Sequence, residues 1–428
     1  MIRIRPLKKA LIGPLILVLI GSGCGGGDRW QKDGREYFEK TAQGFDPSFR
    51  IYHASPDSSL LFFRVQHDQL LYARPATKDP FRAKVKVRTR LLDQDGELLS
   101  VDSTSLEDQG RDQKGRSWGS LRLGAPSDLK KGVLKVEAVD MNRNRRARKR
   151  LSFDRKNPNA SQNFLPIRPK DSMPFFKDHF PAHKKVALRY ERQKPDMNRV
   201  KVSVYKREFP LPPPPFAEDG FQSFDQDPDS IFSIVPDGGD AFTVRVPDSG
   251  FYHFQVDKEG GKGGYTLFNF SKGYPKVKTV EALLGPIRYL TSKEEFKRLR
   301  SKEDMKAAID SFWIEKGGSE ERGRKLIEAY YSRVETANRH FTSHVEGWKT
   351  DRGLIHVIFG KPARIERKGK VEEWVYGEES EIMTLSFEFT KVKNPFSSND
   401  MALDRNPMYK SAWYRAVETW RNGRVHSH

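Results

Sequence analysis

Residues 347–362 read Gly-Trp-Lys-Thr-Asp-Arg-Gly-Leu-Ile-His-Val-Ile-Phe-Gly-Lys-Pro, and this stretch is the most specific signal for the fold. Gly347 is suited to end a helix in a left-handed turn, and Gly353 permits an abrupt turn into the next element. Trp348 is large enough to anchor the connection on a core. The apolar run Leu354–Phe359 predicts a strand covered on both faces. We therefore predict a rigid corner between a long helix and a central strand.

The polar residues of this stretch have two interpretations. In the structural one, Thr350 and Asp351 bond backbone amides in a turn, while Arg352 pairs with Asp351 or a nearby carboxylate such as Glu373. In the catalytic one, Asp351, Arg352 and His356 converge in a hydrolase site, which predicts a cleft beside Asp351 and a perturbed carboxylate or histidine. We favour the structural interpretation, because a histidine in an apolar strand is more often a hydrogen-bonded core residue.

The same corner is flanked by helical patterns and further strands, which predict an α+β domain over residues 286–428. Its helices are signalled by a capping box at Thr291 and Glu294, by apolar periodicity ending at Gly317-Gly318, and by periodicity over 320–341. Strands are predicted at 371–376 and 382–389, and Asn406-Pro407 predicts the start of a last helix. The domain thus has N-terminal helices, an antiparallel sheet and a C-terminal helix.

Two upstream regions alternate apolar and polar residues with the period of a strand, and polar residues 154–161 separate them. We predict two immunoglobulin-like β-sandwich domains, over residues 48–155 and 165–275. The basic run Arg143–Arg150 is interpreted as a hairpin with solvated arginines. The polyproline stretch Pro210–Phe216 is interpreted as a loop that bridges two strands.

The N-terminus has the pattern of a bacterial lipoprotein. Residues 1–23 combine four basic side chains, an apolar run and small residues, which is the pattern of a secretory signal peptide. Cys24, the only cysteine in 428 residues, follows at the position that would carry the lipid. We expect residues 24–47 to form a glycine-rich tether and a short helix.

The chain is strongly basic, with a formal net charge of +20 that falls to +16 without residues 1–23. In the cell envelope such a surface attracts anionic glycan, lipopolysaccharide or lipid headgroups, whereas an exported chain has little access to nucleic acid. We expect neither metal nor cofactor. His340 and His344 have the spacing of zinc ligands, but the glutamate of a metalloprotease site is missing. Asp225, Asp227 and Asp229 are similar to the start of a calcium-binding loop whose later positions do not fit. His426 and His428 end the chain, and we expect them to be frayed rather than bound to metal.

The stretch at 347–362 resembles the signature of GWxTD-domain proteins, which is Gly-Trp-x-Thr-Asp-Arg-Gly, an apolar strand and Gly-x-Pro. The defining positions present here are Gly347, Trp348, Thr350, Asp351, Arg352, Gly353, Gly360 and Pro362. The preceding residues 289–296, 312–313 and 330–338 are similar to the family's leader sequence. The resemblance implies an envelope lipoprotein of Bacteroidota-like bacteria with β-rich modules before a C-terminal GWxTD domain, and implies no particular activity.

From these observations we expect a non-enzymatic cell-envelope lipoprotein that acts as a scaffold or binding module for an envelope protein partner. The alternative is binding of wall or surface polysaccharide through the sandwiches, which exposed aromatic side chains on one sheet face would favour. A hydrolase centred on Asp351 is the third hypothesis. Gly25 is not the aspartate that retains lipoproteins at the inner membrane, so we expect the outer membrane.

Overall fold

The computed structural model describes the backbone of strand β1 (Arg29–Asp33) and residues 44–74, 76–109, 115–190, 199–218, 227–235, 241–256, 263–377 and 384–426. The predicted signal peptide and Cys24 therefore lie outside the described residues. The short helix predicted within 24–47 is wrong for 29–33, because this segment is a strand. Its backbone pairs antiparallel with a strand of the C-terminal region, which supplies hydrogen bonds that the local sequence does not reveal.

The first unit contains seven antiparallel strands in two sheets. They are β2 (Ser48–Ser55), β3 (Ser58–Gln66), β4 (Ala83–Leu92), β5 (Leu98–Asp108), β6 (Arg116–Leu123), β7 (Lys131–Asp140) and β8 (Arg145–Asp154). The sheet orders are β2-β3-β6 and β5-β4-β7-β8. Alternate residues of both sheets, such as Leu61 and Phe63 from one and Val87 and Leu134 from the other, share one buried core. The two sheets therefore form a sandwich.

The described residues of the second unit form eight short strands in two sheets. They are β9 (Phe164–Ile167), β10 (His179–Phe180), β11 (Lys185–Tyr190), β12 (Val200–Tyr205), β13 (Ser230–Ile234), β14 (Ala241–Arg245), β15 (Phe251–Val256) and β16 (Tyr265–Asn269). The orders are β14-β11-β9 and β10-β16-β15-β12-β13, with β10 and β16 parallel. Residues such as Leu188 and Phe254 bury a common core between these sheets.

The C-terminal region combines helices with an antiparallel sheet. Its elements are α1 (Val280–Ile287), α2 (Lys293–Arg300), α3 (Met305–Gly317), α4 (Glu320–His340), α5 (Asp351–Phe359), β17 (Arg364–Lys368), β18 (Val371–Tyr376), β19 (Leu385–Lys391), β20 (Met401–Leu403) and α6 (Lys410–Arg421). The sheet order is β1-β17-β18-β19-β20. The predicted architecture, β-rich sandwiches followed by an α+β region, is confirmed.

The central element of this region is a helix, and the predicted strand at Leu354–Phe359 is wrong. All nine residues of α5 are buried. Thr350 caps the helix, because its Oγ1 accepts a hydrogen bond from the Gly353 amide at 3.1 Å. A short, uniformly apolar run does not distinguish a buried strand from a buried helix, so the cap and the surrounding packing decide the conformation.

The helix boundaries follow the predicted capping chemistry, with one shift of register. The capping box is formed by Ser292 and Glu295, one residue later than predicted. Gly318 ends α3 in the left-handed conformation, with φ of 72°. Asn406 accepts a bond from the Met408 amide at 3.0 Å and starts the short turn that leads into α6, as predicted.

The three units are joined by packed side chains. Tyr52 and Phe62 of the first sandwich contact Leu165 of the second in a small buried cluster. Phe396 of the C-terminal region packs against Tyr205 and Phe251 of the second sandwich, with ring centroids 4.8 and 4.9 Å apart. No helix within the described ranges is long and apolar enough to cross a membrane.

Candidate functional site: the motif corner and its groove

The corner between α4 and α5 depends on two glycines that admit close backbone contacts. A Cβ on Gly347 would lie 2.0 Å from the Ala337 carbonyl oxygen, and a Cβ on Gly353 would lie 1.9 Å from the Gly347 oxygen. Neither glycine has a positive φ. The predicted left-handed turn at Gly347 is therefore wrong, since α4 already ends at His340. The predicted turn into a strand at Gly353 is also wrong, because this glycine lies inside α5.

Trp348 and Thr350 fix the corner on the core. The Trp348 indole is buried against the Tyr289 ring, with centroids 5.7 Å apart. The backbone carbonyl of Trp348 accepts a hydrogen bond from the Tyr289 hydroxyl at 2.9 Å. Gly285 of α1 leaves the space that the indole occupies, because a Cβ there would lie 2.9 Å from the ring. Thr350 Oγ1 donates to the Gly347 oxygen at 2.8 Å. The corner is thus tied to α1 as well as to α5.

Asp351 is buried in an ion pair that the sequence did not indicate. Its side chain is 8 % exposed and pairs with the Arg405 guanidinium, with Nη2–Oδ1 at 2.5 Å and Nη1–Oδ2 at 3.2 Å. The Leu403 amide also donates to Oδ2 at 2.8 Å. The expected pairing of Asp351 with Arg352 is wrong. The carboxylate instead joins the start of α5 to β20 and the segment that follows it.

Arg352 points to a different set of partners. Its guanidinium donates to the carbonyl and side-chain oxygens of Asn399 at 2.8 and 2.7 Å, and lies 3.6 Å from a Glu372 carboxylate oxygen. Glu372 also pairs with Arg367. The suggested partner Glu373 is wrong by one residue. Because strand residues alternate between faces, Glu372 shares the buried face of β18 with Trp374, whereas Glu373 points away.

His356 is buried in the core on the same helix, α5. Its Nδ1 lies 3.1 Å from the Gly360 carbonyl oxygen, which also accepts a bond from the Tyr376 hydroxyl at 3.0 Å. Burial lowers the pKa of His356 well below its usual value. The polar contacts described for Asp351, Arg352 and His356 thus go to different partners, Arg405, Asn399 and Gly360.

Gly360 and Pro362 complete the motif at the exit from α5. Gly360 has φ of 86°, in the region that favours glycine, and a Cβ there would lie 2.9 Å from the Arg333 guanidinium. Pro362 is buried just before β17. These residues turn the chain from the central helix into the sheet.

The remaining candidate ligands are used in internal contacts. His340 ends α4, whereas His344 lies beyond it and contacts Asn394 at 2.9 Å, so the two histidines do not share a helix. His426 packs on Phe359 with centroids 5.6 Å apart, so the expectation that it is frayed is wrong. Asp225 and His428 lie outside the described residues. Among the residues described, no group of three or more His, Cys, Asp or Glu side chains is placed to hold a metal.

The polyproline segment (residues 210–216) packs on the C-terminal region. It belongs to the connection between β12 and β13, as predicted. Its Pro213 carbonyl accepts a bond from Arg405 at 3.1 Å, and its Pro215 carbonyl accepts one from the Asn406 amide at 3.0 Å. Leu211 contacts the C-terminal core. The guanidinium that neutralises Asp351 therefore also holds this segment, and sequence analysis missed it because Arg405 is far from both partners along the chain.

Two cavities border the polyproline segment. The smaller, of about 280 Å³, adjoins Asp351 and Arg405 beneath the segment. It is the cleft that the hydrolase hypothesis expected, but both Asp351 oxygens face the guanidinium. The larger, of about 780 Å³, is a groove between the segment, residues 288–292 and α6, which we call the polyproline–α6 groove. Tyr414 lines it, is 53 % exposed, and lies 5.4 Å from the Phe216 ring.

The end of this groove is held by an ion pair between two helices. Arg421 of α6 donates from two nitrogens to the two carboxylate oxygens of Glu295, both at 2.9 Å. The hydrogen bond from Arg421 lowers the pKa of Glu295 to about 2. The groove therefore has apolar side chains along the polyproline segment and α6, polar ones at residues 291–292, an aromatic rim and a fixed charged end.

Comparison with known families identifies one matching region. Residues 250–422 match the family model of the GWxTD domain. This range contains the last strands of the second sandwich, the motif corner and all six helices described above. No curated protein matches the chain.

Proposed function

The chain contains a GWxTD domain, and we propose that it is a non-enzymatic cell-envelope lipoprotein that binds an envelope protein partner. The proposal depends on one observation: the charged motif residues are buried, whereas the groove beside them is open to solvent. The charged motif residues Asp351 and Arg352 are buried and bonded to other parts of the chain. The neighbouring polyproline–α6 groove is open and has apolar walls.

The groove fits an extended apolar segment of a protein partner. Proline and aromatic side chains form its walls, and Tyr414 is exposed on its rim. Met408, in the turn that leads into α6, is 72 % exposed. Tyrosine and methionine are enriched in protein interfaces, where they supply large contact areas. The Glu295–Arg421 pair offers polar groups that fix the orientation of the bound segment.

The proposed lipid anchor would hold the GWxTD domain close to a membrane. Cys24 precedes β1 by five residues, which span at most about 18 Å when extended. The backbone of β1 forms the outer strand of the GWxTD sheet. A diacylglycerol on Cys24 would therefore place this sheet edge at the membrane surface. We retain the outer membrane as the proposed location, and mass spectrometry of native protein that showed an unmodified cysteine would contradict the anchor.

Affinity capture tests the partner proposal. Full-length protein, recovered from detergent-solubilised membranes, is expected to bring down one protein at a fixed stoichiometry, measured by native mass spectrometry. Tyr414→Ala should weaken this complex by at least about 10-fold, as expected for an aromatic anchor. Phe232→Ala is the matched control, because Phe232 is 42 % exposed on the second sandwich, away from the groove.

Two outcomes would contradict this assignment. Recovery of the protein without a stoichiometric companion would argue against a scaffold. A companion that binds equally to wild type and Tyr414→Ala would remove the groove as its site.

A further inference from the structure

One face of the first sandwich carries an array of basic side chains. In the sheet β5-β4-β7-β8, register and burial place alternate residues of β4, β7 and β8 on the solvent side. We call this surface the basic sheet face. Its basic residues are Lys84, Lys86, Arg88, Arg90, Lys131, Lys135, Arg146, Arg148 and Arg150.

The basic sheet face has a large excess of positive charge. Only three acidic side chains share it, Glu107, Glu137 and Asp154, among the strand residues that the structure describes on this side. Glu107 pairs with Lys84 at 2.8 Å, and Glu137 pairs with Arg148 at 2.8 Å. Nine cations against three carboxylates leave a net charge of +6. Neighbouring charges are spaced about 5 Å across strands and about 7 Å along them.

Exposed apolar side chains lie at both ends of this array. Val101 pairs with Arg90 across β5 and β4 and is 53 % exposed, and Leu98 near it is 55 % exposed. At the other end, Met141 follows β7 and bonds through its amide to the Lys84 carbonyl, and Phe81 precedes β4; both are exposed. A flat basic surface bordered by exposed apolar groups is suited to the interfacial region of a bilayer.

We propose that the basic sheet face binds a membrane surface rich in anionic phospholipid. Charge complementarity favours this occupant, and the apolar residues at both ends would enter the headgroup region. A polysaccharide is less suitable, because the described strand residues of this face offer no aromatic ring on which a sugar would stack. The inference rests on the proposed envelope location and specifies a second contact with the membrane besides the lipid.

The edge of the first sandwich that carries β8 lies near the GWxTD domain. Lys149, on the opposite side of β8, pairs with Asp46 at 2.9 Å. Both charges act on His340 at the end of α4, so this edge of the first sandwich lies close to the GWxTD domain. The same domain receives β1, which follows the proposed anchor.

Vesicle sedimentation of the full chain tests this inference. Wild type is compared on vesicles of phosphatidylcholine and on vesicles with roughly one-third phosphatidylglycerol. The triple reversal Arg88→Glu, Arg90→Glu and Lys135→Glu should reduce the preference for anionic vesicles by at least about 100-fold, because each basic residue near such a surface contributes about fivefold. Raised salt should weaken the wild-type preference.

A control with the same charge change separates local from overall charge. Lys293→Glu, Lys297→Glu and Arg300→Glu reverse three exposed charges of α2 and should retain most of the preference. Thermal unfolding of both variants checks that the fold is intact. Binding to neutral vesicles reports the N-terminal anchor together with the apolar residues of the face. The ratio of anionic to neutral binding therefore isolates the charge contribution, whether or not the chain is lipidated.

Three outcomes would overturn the inference. Wild type that shows no preference for anionic vesicles would remove the membrane contact, and equal losses in both triple variants would indicate overall charge. A face reversal that abolished binding to dextran sulfate but left vesicle binding unchanged would assign the face to an anionic polymer.

Discussion

Replacement of Arg405 with methionine should expose the energetic role of the Asp351 ion pair. The side chains of Arg405 and Asp351 are 3 % and 8 % exposed, so solvent cannot replace the lost guanidinium. The carboxylate would keep one bond, from the Leu403 amide. Removal of one partner of a buried pair typically costs about 3–5 kcal/mol, because the other charge remains buried and uncompensated. We expect a loss of this size in the free energy of unfolding at neutral pH.

Tryptophan fluorescence during urea denaturation measures this loss in the relevant domain. Five of the seven tryptophans lie in the C-terminal region: Trp313, Trp348, Trp374, Trp413 and Trp420. The double variant Asp351→Asn with Arg405→Met removes both charges and should cost less than Arg405→Met alone. A loss below about 1 kcal/mol for the single variant would refute the reasoning, as would a double variant that is less stable than the single one.

Three further expectations concern backbone packing and pH. Gly347→Ala should lower the free energy of unfolding, measured by urea denaturation, by at least about 2 kcal/mol, because its Cβ would collide with the Ala337 carbonyl. Gly124→Ala is the control and should be tolerated, because its Cβ would first meet the end of a flexible side chain, at 3.2 Å. Burial lowers the pKa of four histidines from 6.5 to about 4: His53, His179, His253 and His340. Because the folded protein binds these protons more weakly than the unfolded chain, the free energy of unfolding should fall as pH drops from 6.5 towards 4. A stability profile that stays flat over this pH range would contradict the expectation. Glu295→Gln should cost about 1–2 kcal/mol at pH 7, and because Arg421 lowers the Glu295 pKa to about 2, the difference from wild type should disappear as pH falls from 4.5 towards 2.

Local patterns were sufficient where the physical cause is local. The period of two along β4 reproduces its buried and exposed faces, and Asn406 and Gly318 lie where capping chemistry requires them. The capping box was misplaced by one residue because Thr291 and Ser292 are both suitable caps. The conformation of 354–359 was not decided by its composition, because a uniformly apolar run has no polar face to define a period.

The candidate site was only partly accessible from the sequence. The motif residues were found as a unit, and a structural use for them was the favoured interpretation. Their partners were not found. Asp351 pairs with Arg405, which is 54 positions away along the chain. Arg352 lies beside Glu372, because the alternation of β18 turns this residue towards the core. The groove depends on the polyproline segment, which reaches the GWxTD domain from the second sandwich.

The sequence by itself determined the succession of β-rich and α+β regions, the position of the motif and the basic character of the chain. These properties follow from periodicity, capping residues and charge, which act over a few positions. Only the tertiary structure decided that 351–359 is the buried central helix, that β1 joins the last sheet, and that nine cations share one face. The physical reason is that burial and pairing depend on segments distant in sequence, whose contacts leave no mark in the local pattern.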